Sequence, residues 1–91
     1  MPDKAEAQAI QRAIGEILLR HWDPIGIKDV PEARSEYESY VGAVYRLLAS
    51  NASDRAIAEH LSSVEAQELG LPGTQPELLA PVVDELRKVR V

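Results

Sequence analysis

Apolar residues recur along most of this chain at three- and four-residue spacing, the mark of helices that bury one face. Ile10, Ala13, Ile14, Ile17, Leu18 and His21 define such a face for a first helix from about Asp3 to Arg20. Asp3 and Glu6 suit its positive N-terminal end. Leu19 falls opposite that stripe and reads as exposed, either alone or as a contact with a partner or second subunit. A second helix begins near Glu36, where Ser35-Glu36-Tyr37-Glu38 fits a capping box. Tyr37, Val41, Val44 and Leu48 form its stripe, with Tyr40, Tyr45 and Leu47 alongside, a face wide enough for two neighbours. The third helix takes Ser53 as N-cap and carries Ile57, Leu61 and Val64. Glu68 falls on the same face, and Gly70-Leu71 fit a Schellman ending. Thr74-x-x-Glu77 marks another capping box. Pro81 lacks an N–H and crowds the preceding turn, which predicts a short turn at 76–80 and a helix from about 81 to 89. Leu79, Val82, Val83, Leu86 and Val89 face inward there.

Residues 21–35 connect the first two helices. Asp23-Pro24-Ile25-Gly26 reads as a type I turn, and Trp22, Ile25 and Ile27 surround it. Three large apolar groups beside one turn imply a loop folded back on the core, with Trp22 buried against helices one and two. The pattern predicts a single all-α domain over residues 1–91: a compact four-helix up-and-down arrangement with the W-D-P-I-G loop packed on the core.

Composition narrows the setting. At 91 residues and 45% hydrophobic, the chain suits one small globular domain. The lack of Cys excludes disulfides, thiolate metal sites and Cys nucleophiles, and fits a reducing, cytoplasmic location. No apolar run approaches the ~20 residues that span a bilayer, and Met1 to Glu6 is polar, without a signal core. A net charge of −5 argues against nucleic acid and anionic membranes, and for a basic protein partner. Asp23, Asp29, Glu32, Glu36 and Glu38 outnumber Lys28 and Arg34, so much of that charge is local to one loop and the helix start after it.

Candidate chemistry is sparse. His21 reads as a partly buried histidine at a helix C-terminus, and His60 as solvent-facing. Glu65 and Glu68 are one turn apart on or beside an apolar face, and paired carboxylates can do acid/base work. No nucleophile, oxyanion hole, phosphate loop or metal-ligand spacing accompanies them, so rim carboxylates are the stronger reading, with no enzyme, cofactor or metal expected. With no Phe in the chain, the tyrosines and Trp22 are needed inside, Tyr37 most and Tyr45 least. The favoured function is protein binding by a monomer or homodimer, with Asp29, Glu32 and Glu36 at the rim and Tyr45 or Leu19 as apolar anchors. The competing readings are a structural homodimer formed through the Leu19 side, and an acid/base enzyme using His21, Asp23 and the glutamates.

One ordered pattern spans roughly residues 10–71: Trp22-Asp23-Pro24-Ile25-Gly26-Ile27, Glu36-Tyr37-x-x-Tyr40, Leu47-Leu48, Ile57-Ala58-x-x-Leu61 and Glu68-Leu69-Gly70-Leu71. It resembles small bacterial helical proteins of the YugE-like type, and its W-D-P-I-G piece is also similar to immunity proteins that neutralise secreted toxins. Where such proteins often carry an acidic residue before Glu-Tyr, this chain has Ser35. The resemblance implies a small α-helical fold, a bacterial source, a cytosolic setting and, in the immunity case, a basic toxin such as a nuclease as partner. It implies no catalytic residues.

Overall fold

In the computed structural model, which describes residues 3–27, 29–31 and 36–90, Asp3 caps the first helix by accepting from the Glu6 N–H at 2.8 Å. α1 spans Lys4–Ile17 and continues into a π-helical turn, Leu18–Trp22. The Asp23 N–H closes that turn on the Leu18 carbonyl at 2.9 Å, a bond over five residues instead of four. On this wider turn His21 is exposed and Trp22 is buried. This corrects the placement of His21 on the apolar stripe, which assumed one helical period up to Arg20. Leu19 is also buried, at 5% exposure, which corrects its reading as an exposed anchor. The cause is cover on more than one side: α4 packs on the π turn, and Leu19 shares a groove with Tyr37 and Val41 of the second helix.

Glu36 and Tyr37 form a short 3₁₀ turn before α2, Glu38–Ala49. Among the described residues no side chain caps α2 at Tyr37, and Ser35, on which the expected capping box depends, lies outside them. Tyr37, Val41, Val44 and Leu48 are buried, and Tyr40, Tyr45 and Leu47 pack partly buried beside them. α3 spans Asp54–Gln67, with the Ser53 hydroxyl accepting from the Ala56 N–H at 3.1 Å as expected of its N-cap. Gly70 adopts the expected left-handed φ of +67°, but the Leu71 N–H reaches back six residues to the Glu65 carbonyl at 2.8 Å, one residue farther than the bond of a Schellman ending.

Pro76–Leu79 form a 3₁₀ turn and α4 spans Ala80–Arg87. Pro81 sits in the first turn of α4, where an N–H would have no helical partner in any case. The capping box at Thr74 is corrected. No side chain caps the turn, the Thr74 backbone N–H bonds Glu65, and Glu77 pairs with Arg55 at 3.5 Å. Arg87 ties α4 to the start of α3, donating to Asp54 at 2.7 Å and to the Ala52 carbonyl. α1 packs on α2 and α4, and α3 packs on the same two, so the four helices enclose one core. The radius of gyration is 12.5 Å, close to the ~12 Å expected of a folded chain this long. The fold is thus a compact, all-α, four-helix domain, and among the described residues no helix is long and apolar enough to cross a membrane.

Candidate functional site

The π turn delivers Trp22 to the junction of α1, α2 and α3. Its ring lies 5.3 Å from that of Tyr37 and 6.2 Å, edge-on, from that of Tyr40. A buried indole needs a partner for its N–H, and Trp22 Nε1 donates to Glu65 Oε2 at 2.8 Å. Glu65 Oε1 accepts from the Thr74 N–H at 2.6 Å. One carboxylate, 3% exposed, therefore pins the Trp22 side chain and the loop that follows α3. Trp22, Pro24, Leu71, Pro72 and Leu79 line a cleft of about 320 Å³ with Glu65 at its side.

A second network shapes the loop after Trp22. Asp23 is left-handed, φ +33°, an uncommon conformation for a residue with a Cβ. Its Oδ1 accepts from the Ile27 N–H at 2.7 Å and from the Tyr37 hydroxyl at 2.9 Å. The same hydroxyl accepts from the Ile25 N–H at 3.3 Å, and the Gly26 N–H closes the turn on the Asp23 carbonyl at 3.2 Å. Burial pushes the Tyr37 phenol well above its ordinary pKa, the Ile25 N–H opposes that, and Asp23 adds to it. Tyr37 is thus a neutral hydroxyl that donates to one side of the turn and accepts from the other.

The loop held in this way turns large apolar groups outward. Ile25 is 40% exposed and Val30 43%, while Ile27 packs against the core. Asp29 and Pro31, the chain neighbours of Val30, are exposed, as are Glu36 and Glu38 at the start of α2. Trp22 is buried as the sequence implies, but Ile25 is not.

The other expected site residues separate. Asp29 and Glu36 are at the surface, Tyr45 is half-buried against the core, Leu19 is inside, and Glu32 lies outside the described residues. Glu65 and Glu68 do not form a pair: Glu65 is enclosed and Glu68 is exposed, which reverses the assignment of Glu68 to the apolar face. His60 is half-buried, not solvent-facing. Among the described residues its Nε2 has no hydrogen-bond partner, and burial, helped by Arg46, lowers its pKa. Among the described residues no three His, Asp or Glu side chains come together in a way that could hold a metal ion. Sequence reasoning missed Glu65 as the partner of Trp22. The available signal was its position one turn after Leu61, on the stripe of α3.

No family model matches the chain, nor does any curated protein or solved structure.

Proposed function

We propose that this protein is a non-enzymatic protein-binding module whose contact face is the loop after Trp22 together with the start of α2, and whose partner is a basic protein. In its most specific form the reading is that of an immunity protein, with a secreted toxin as the partner and the cytoplasm as the setting. One observation carries it: Ile25 is exposed on a turn fixed by Asp23 and Tyr37, Val30 is exposed farther along the same loop, and Asp29 on the loop and Glu36 and Glu38 at the start of α2 are exposed too. Binding sites combine apolar anchors at the centre with a charged rim. A preformed loop also loses little entropy on association. The left-handed Asp23 and the π turn are the kind of backbone outlier that marks functional positions.

The test is capture from an extract of the source organism on the immobilised protein. The wild type should retain a basic protein that salt releases. Val30→Asp and Asp29→Lys should each retain markedly less, since one places a charge in the apolar centre and the other reverses the rim. A partner held equally by all three proteins would overturn the reading.

A further inference from the structure

Buried carboxylates are ordinarily matched by a cation. Glu65 is enclosed, yet its two observed donors, Trp22 Nε1–H and the Thr74 N–H, are both neutral. Among the described residues its carboxylate forms no ion pair. Each oxygen accepts one bond and keeps a second lone pair. The carboxylate borders the cleft of about 320 Å³, which opens to solvent. The remaining walls are largely apolar: Trp22, Pro24, Leu71, Pro72 and Leu79. Pro24 and Ile25 are neighbours in one turn, so the cleft adjoins the proposed contact face.

We propose that this cleft receives an arginine side chain of the partner, with its guanidinium on Glu65 and its methylenes along Pro24, Leu71 and Pro72. This rests on the reading of the partner as a basic protein that docks at the loop. The cleft offers what an arginine needs: an enclosed carboxylate with free lone pairs for a charge-assisted bond, and apolar walls for the stem. Guanidinium is more weakly hydrated than ammonium, so it leaves water for a largely apolar cleft at lower desolvation cost. An arginine buried in a pocket beside apolar contacts is a typical binding hot spot.

Trp22 is the only tryptophan, so its indole N–H gives a single, unambiguous NMR signal next to Glu65. The full-length protein is titrated with propylguanidinium and, in parallel, with propylurea, which has nearly the same shape and no charge. Propylguanidinium should shift the Trp22 indole and Thr74 amide signals saturably, with an apparent affinity about ten-fold or more above that of propylurea. Glu65→Gln should lose this preference. Should that variant not fold, the wild-type comparison decides alone: an equal response to both probes, or a shift that never saturates, overturns the proposal. Failure of the docking reading looks different, as partner capture that ignores Val30→Asp whatever the probes do.

Discussion

Trp22 contributes through both its ring and its N–H. Trp22→Phe keeps most of the ring but leaves Glu65 Oε2 without its donor. An unsatisfied buried acceptor costs about 1–3 kcal/mol, and Trp22→Ala should cost ~3–5 kcal/mol, the range for a large core aromatic. Urea unfolding of both variants checks this, and a Trp22→Phe protein as stable as the wild type would show that the indole bond contributes nothing. Tyr37 makes the corresponding prediction for alkaline pH. Its phenol is raised above the ordinary 10.0, first by burial. The unfolded chain therefore gives up this proton first. The stability is fully present below about pH 10 and is lost as pH rises beyond it. The urea midpoint should fall above that pH in the wild type and fall less steeply in Tyr37→Phe, while identical slopes would exclude Tyr37 as the source. At this scale the burial of Trp22 could be read from its place between an apolar stripe and a turn. Its partner could not, because the two residues are 43 positions apart and local spacing carries no information about such a contact.

Among the elements, legibility followed the range of the interaction that decides each one. The Ser53 cap and the Gly70 ending use bonds within a few residues and were readable. The box at Thr74 failed because a remote carboxylate claims its N–H. The π turn was invisible to a stripe drawn at one fixed period, and His21, which that stripe placed inside, lies on this turn and is exposed. Gly26 is the element-scale test of the loop. Its φ is +67°, and an added Cβ would meet nothing among the described residues within 4 Å, so a substitution there costs backbone strain and no clash with them. Gly26→Val should therefore destabilise by roughly 1–2 kcal/mol or more. Gly26→Asn should cost less, because Asn tolerates the left-handed region. Thermal unfolding of the pair checks the order, and equal losses would mean that the side chain's surroundings, not its backbone, set the cost.

For the whole molecule, four apolar stripes were enough to give an all-α domain around one core, because a helix in a small chain has few other ways to bury its face. The contact face was only half legible. The acidic bias of residues 23–38 is a property of composition, whereas the outward turn of Ile25 depends on the Tyr37 hydroxyl bonding a backbone 12 residues away. Charge and apolar anchors should also separate in the kinetics of binding. Asp29→Lys with Glu36→Lys adds two charges at each position, taking the net charge from −5 to −1. Both residues are exposed, so folding should be unaffected. Long-range attraction acts on encounter, so at low salt the captured partner should associate roughly ten-fold more slowly or worse with the reversed protein. The two association rates should converge as salt screens the field over about 8–10 Å near physiological ionic strength. Dissociation should change little, since contacts at the centre of an interface set it. Val30→Asp should do the opposite, leaving the salt dependence of association nearly intact and speeding dissociation. An association rate that ignores the reversal at low salt would show that the partner meets some other face of the molecule.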